Sequence, residues 1–142
     1  MITRTIRTFI KLPPGDRALA VEAFGQLSMA YVITRFRSFE VAVIHGSLPL
    51  GERPTAPAGD TVRRVVVAVN GVADRLPFRA LCFQRGLAVQ SMLRRRGIDA
   101  RLHYGVGYGA GDLSAHVWVS VDGVLVIGEE AADRHARLVT TP

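Results

Sequence analysis

Cysteine is nearly absent from this chain: Cys82 is the only one in 142 residues. An intramolecular disulfide is therefore excluded. No secretory-signal pattern follows the basic opening stretch MITRTIRTFIKLPPGDR, so a reducing compartment, the cytoplasm, is expected. Long apolar runs are lacking as well. The stretch from Ala18 to Phe36 is interrupted by Glu22, Gln26 and Arg35. A spanning helix needs about 20 largely apolar residues, so no stable membrane span is expected. Aromatic residues amount to 7% and do not interleave with arginines as stacking platforms would, which argues against nucleic acid as a partner despite a net charge of +6. The spacings CxxC, HxxxH and HExxH are also missing. A zinc-like set of Cys82, His103 and His116 has no such support, and neither metal nor cofactor is expected.

What is present reads as one α+β domain over residues 1–142. A helical N-terminal part (1–60) ends in a Pro/Gly-rich loop (46–60), and a core follows over 61–142. Leu19, Ala23, Leu27, Ala30 and Tyr31 recur at helical spacing within 15–37, with Asp16 available as a cap. The segment SFEVAVIHG is a second apolar piece. In TVRRVVVAVNGVADR the β-branched run suits a strand, but Val62, Val65, Val66, Val69, Val72 and Ala73 form a better helical stripe, capped by Asp60. A further helix runs from Leu81 to Arg96 and stops at Gly97. The period then changes. ARLHYGVGY, SAHVWVSVD and GVLVIGE read as three antiparallel strands, the last two joined by the hairpin signal Asp122-Gly123. GVGYGAGD lacks the lysine-bearing helix of a phosphate loop and is expected to be a flexible hairpin loop. The arginines lie in short blocks, of which Arg94 to Arg96 directly precede Gly97. Such blocks mark helix ends more often than a docking surface for an acidic peptide, which is the functional alternative.

The chemistry starts from Cys82 at the head of its helix, where the positive end of the helix dipole favours a thiolate. Taken alone, a single cysteine is as well explained as a small buried apolar residue. His116 adds to it. Along its strand Val117, Val119 and Val121 point one way, while His116, Trp118 and Ser120 point the other, on the more polar face. A thiol with a histidine on a following strand is the skeleton of a cysteine peptidase or acyltransferase: Cys82 as nucleophile, His116 as base and then acid. The orienting acid follows from register. Asp122 lies six residues along the same strand, nearly ~20 Å away, and is better explained by the turn. With a two-residue turn, Val121 pairs with Val124, Ser120 with Leu125, Trp118 with Ile127 and His116 with Glu129. A one-residue bulge would bring Glu130 there instead.

With CFQRGLA, the helix ending RRRGIDARL, the strand HYGVG and the strand AHVWVSVDG in this order, residues 77–139 resemble the transglutaminase-like fold. More narrowly they resemble the stand-alone leader peptidases of lasso-peptide biosynthesis. The resemblance implies a papain-like core and a cytoplasmic cysteine peptidase that removes the leader from a ribosomally made precursor. It further implies a separate leader-recognition protein and a cyclase as partners. By carry-over, Cys82 is the nucleophile and His116 the base. The family acid is usually an aspartate on the next strand, where this chain reads IGEE, so Glu129 or Glu130 would stand in. The alternatives are amide or acyl transfer on the same fold, or a non-catalytic interaction module in a biosynthetic complex.

Overall fold

The computed structural model describes residues 2–47, 51, 58–109, 112–128 and 136–141. Five helices precede a sheet: α1 (Ile2–Lys11), α2 (Pro14–Phe36), α3 (Phe39–Gly46), α4 (Ala58–Ala73) and α5 (Cys82–Arg95). The strands are β1 (Ala100–Gly109), β2 (Asp112–Val121), β3 (Val124–Ile127) and β4 (Ala136–Thr141). They form an antiparallel sheet in the order β3-β2-β1-β4. The layout is α+β, with one strand more than the three read from the sequence.

Two prolines set the start of α2. Pro13 precedes the helix and Pro14 opens it, where a missing N–H costs nothing. Asp16 is not the cap. It lies in the first turn, and its carboxylate accepts hydrogen bonds from Arg64 Nη2 (2.7 Å) and Nε (3.0 Å) on α4. A charge-assisted contact across two helices takes this carboxylate in preference to local N–H groups. The same correction applies to Asp60: α4 begins at Ala58, so Asp60 sits in its first turn and accepts from Arg63 at 2.9 Å. The helical reading of the valine stripe holds, with Val65, Val69 and Ala73 buried. Most of the Pro/Gly-rich loop (48–50 and 52–57) lies outside the described residues. Gly51 is described, and its N–H donates to the Arg94 carbonyl at 2.8 Å.

α5 is the axis of the molecule. α2, α3 and α4 pack against it from one side, β1 and β2 from the other. Leu27, Leu87, Met92 and Leu93 are fully buried in the resulting cluster, each worth roughly 1.5–3 kcal/mol of burial. Its C-terminus closes with two reciprocal bonds, Gly97 N–H to Arg94 O (3.0 Å) and Ile98 N–H to Leu93 O (3.1 Å). This is the Schellman pattern, with Ile98 and Leu93 both buried beside it. The adjoining arginines are structural. Arg94 pairs with Asp99 at 2.9 Å, and Arg95 and Arg96 both reach Glu22 on α2. These three arginines tie the helix end in place instead of forming an open cationic surface.

In the sheet, Asp122 (φ 50°) and Gly123 (φ 79°) form the expected hairpin turn, both in the left-handed region that a type I′ turn demands. Val121 pairs with Val124 and Ser120 with Leu125, as the turn dictates. The next pair is Val119 with Ile127, not Trp118 with Ile127, because a register shift falls between Val119 and Ser120. The extra residue lets both Val126 and Ile127 pack against the core, which strict alternation would forbid. The glycine-rich segment is another correction. β1 continues to Gly109 and β2 starts at Asp112, with Gly109 opposite Asp112, so the ladder takes up most of the expected loop. No helix among the described residues is long and apolar enough to cross a membrane.

Candidate active site

Cys82 is the first residue of α5, half-buried and in contact with the core cluster. Leu81, extended at φ −77° and ψ 174°, delivers the chain into the helix. No side chain of the Ser, Thr, Asp or Asn type caps this end. Gln84 does part of that work. Its Oε1 accepts the Leu81 N–H at 2.9 Å, and its Nε2 donates to Thr34 Oγ1 at 2.9 Å. Thr34 in turn donates to the Ala30 carbonyl at 2.8 Å, so a partly buried chain of hydrogen bonds ties the start of α5 to α2. Arg85 holds the preceding segment from the other side. It donates to Ala80 O (3.1 Å), Asn70 Oδ1 (3.1 Å) and Asp74 Oδ1 (2.7 Å). A helix start fixed on two sides presents its first N–H groups, that of Cys82 among them, in a constant direction. Neither Gln84 nor Arg85 is among the residues singled out from the sequence. The signal was available for Gln84, since glutamine three residues past the cap is the reciprocal half of a capping box.

An open depression of about 510 Å³ lies directly before the cysteine, lined by Asp74, Leu76, Phe78, Arg79, Leu81 and Arg85 among others. Cys82 itself is not among the residues that line it.

α5 lies very close to the sheet because Gly86 has no side chain. A Cβ there would come within 2.8 Å of Leu102 Cδ1 and 2.9 Å of Val117 Cγ1. One turn nearer the helix start, the Phe83 ring meets the Tyr104 ring at 5.7 Å between centroids. Burial raises the Tyr104 phenol pKa far above its ordinary value. The first turn of α5 therefore lies over the end of the sheet where Tyr104 and Gly105 stand. Gly105 is paired with His116, but the β2 residues that meet α5 are Val117 and Val119, so strand alternation does not turn the His116 side chain toward the helix that carries Cys82.

Val117 is in the set of β2 residues that faces α5. Strand alternation puts His116 in the other set, with Trp118 and Ser120. That second face is more covered than its polar residues suggested: Trp118, Ser120 and His103 are all buried, while His116 is half-buried. His103 Nε2 and Ser120 Oγ share a hydrogen bond at 2.7 Å, and the His103 ring stacks on Trp118 at 6.0 Å. Glu129 and Glu130 lie outside the described residues. Asp122 is exposed in its turn, as its sequence context implied. Among the described residues, no group of three or more His, Cys, Asp or Glu side chains is placed to hold a metal ion.

No curated protein and no solved structure matches this chain. A family model does, over residues 27–140, a span that takes in α5 with Cys82 and β2 with His116. Since that span covers well over half of the chain, the protein belongs to the transglutaminase-like superfamily.

Proposed function

We propose that the protein is a cysteine peptidase that removes the leader from a ribosomally made lasso-peptide precursor. Members of the superfamily are often cysteine peptidases or acyltransferases. The observation that carries the reading is the single cysteine at the first position of α5, within the span that matches the transglutaminase-like superfamily. In this reading the Cys82 sulfur attacks the scissile carbonyl, forming a thioester as the amine leaves with a proton from His116. Water activated by His116 then releases the carboxylate and restores the thiol. The helix-start N–H groups stabilise the oxyanion. The β2–β3 register shift is the condition that favours Glu130 over Glu129 as the acid orienting His116. A leader-recognition protein and a cyclase act with it in the cytoplasm.

The test is mass analysis of a precursor incubated with the wild type and with Cys82→Ala. Hydrolysis leaves a free acid at the leader C-terminus, and the variant loses about 10⁴-fold or more of the rate while keeping its melting temperature. An adduct of the leader with an added amine would assign acyl transfer instead. Cleavage that survives Cys82→Ala would remove the enzyme reading. Placement of the histidine is tested separately. In His116→Cys, a short thiol cross-linker should join positions 82 and 116, and failure to do so would place the base elsewhere.

A further inference from the structure

The open depression before Cys82 is walled by the segment that joins α4 to α5, and every residue lining it belongs to the described ones. Its walls are held from behind. The Phe78 ring packs on Tyr31 of α2 at 4.3 Å between centroids, and Arg85 is bonded to Asn70, Asp74 and Ala80. Its inner surface is less satisfied. The N–H groups of Leu76, Phe78, Arg79 and Ala80 donate to no backbone carbonyl among the described residues, and so remain for water or a ligand. Leu81 presents its side chain beside them, 54% exposed, and is bonded directly to Cys82. Main-chain donors next to an open apolar side chain suit an extended peptide, whose carbonyls the N–H groups can receive.

The charges decide what kind of peptide fits. Asp74, Arg79 and Arg85 are the charged residues of the lining. Asp74 and Arg85 neutralise each other at 2.7 Å. Arg79 is exposed, and among the described residues neither an ion pair nor a hydrogen bond engages its guanidinium. The depression therefore keeps one uncompensated cation, set beside Leu76, Phe78 and Leu81. A guanidinium in such surroundings takes a carboxylate through two parallel hydrogen bonds. Arg79 also stands close to the thiol. It precedes Cys82 by three residues, so their Cα atoms are at most about 11 Å apart. We infer that Arg79 is a specificity residue of this site and receives an aspartate or glutamate side chain of the substrate, within about two residues of the scissile bond. The inference rests on the peptidase reading and gives it a substrate class: a precursor with an acidic residue close to the cut.

Two thiol-reactive dipeptides test this on the full chain without knowledge of the precursor: chloroacetyl-leucyl-glutamyl amide and its lysyl twin. In each, the Cys82 sulfur bonds to the chloroacetyl carbon as chloride leaves. Iodoacetamide, which has no peptide part, reports on the thiol itself. Initial alkylation rates read by intact mass should put the glutamyl reagent ahead of the lysyl one by at least about tenfold, and rising salt should shrink the ratio. Arg79→Gln should bring the ratio toward one, and Arg79→Glu should invert it. Both reagents meet the same protein, so any change that a substitution makes to the thiol itself cancels. Equal rates on a thiol that iodoacetamide alkylates readily, or a preference that survives Arg79→Gln, would overturn the inference and leave the peptidase reading standing. A thiol that resists iodoacetamide in the native chain, yet reacts once the chain is unfolded, would overturn both.

Discussion

α5 and α2 are neighbours with opposite fates. α5 carries Gln84, Gln90, Ser91 and Arg94, yet every residue from Gly86 to Arg94 is buried. α2 is studded with Phe, Met, Val and Ile, yet only one of its sides is covered. Position in the fold, not composition, decides which helix is central. α5 can be buried all round because most of its polar side chains find partners: Gln84 in Leu81 and Thr34, Gln90 Nε2 in the Ala100 carbonyl (3.4 Å), Arg94 in Asp99, with the Ser91 hydroxyl buried without one among the described residues. Burial without such partners would cost more than the packing returns.

The two faces of α2 give the sharpest test of this contrast. Leu27→Ala should cost about 2–5 kcal/mol in denaturant unfolding, and Val32→Ala, on the same helix, about 0.5 kcal/mol or less. Equal losses would mean that the outer face is covered within the chain. Gly86→Ala should come next, at about 1–3 kcal/mol, because the new methyl lands on Leu102 and Val117. A neutral result would show that α5 can lift off the sheet freely. Gln84→Ala should cost about 1–2 kcal/mol, since it leaves the Leu81 N–H and Thr34 without their shared partner. Gln84→Glu should recover the bond to Leu81 but not the one from Gln84 Nε2 to Thr34.

The smallest effect is expected at His45, whose ring shares a 3.2 Å hydrogen bond with Gln26 on the inner side of α2. Burial, and then the nearby Arg95, hold its pKa below the ordinary 6.5. The unfolded chain therefore binds a proton first as pH falls, and stability should decline from about pH 6.5 downward, through the lower folded-state value. His45→Gln should flatten that part of a melting-temperature profile. A slope unchanged by the substitution would assign it to another group.

Much of this was legible in the sequence because it rests on local physics. The spacing of valines outweighed their strand propensity in α4, Gly97 ended α5, and Asp122-Gly123 set the hairpin. Cys82 could be placed at the head of a helix because Pro77 and the apolar period bracket it. β4 was missed: ARLVTT carries a β-branched run, but it is short and has no turn signal to announce it. The β1 residues it pairs with are thirty or more residues away in sequence. Asp16 and Asp60 look like caps in the sequence because Arg64, the arginine that takes Asp16, is 48 residues away, and because the start of α4 two residues before Asp60 leaves no trace in the period.

By itself, then, the sequence determined α2, α4, α5 and the hairpin, since these depend on residues within a turn or two of one another. Only the tertiary structure decided three other things. It decided which face of β2 meets α5, because Gly86 and the valines must touch across the helix–sheet interface. It decided the bulge that moves the β2–β3 register, because both Val126 and Ile127 find core to pack against. And it decided that Arg94 to Arg96 bind this chain's own Glu22 and Asp99, because carboxylates distant or hidden in the sequence are brought within reach only when α2 folds back along α5.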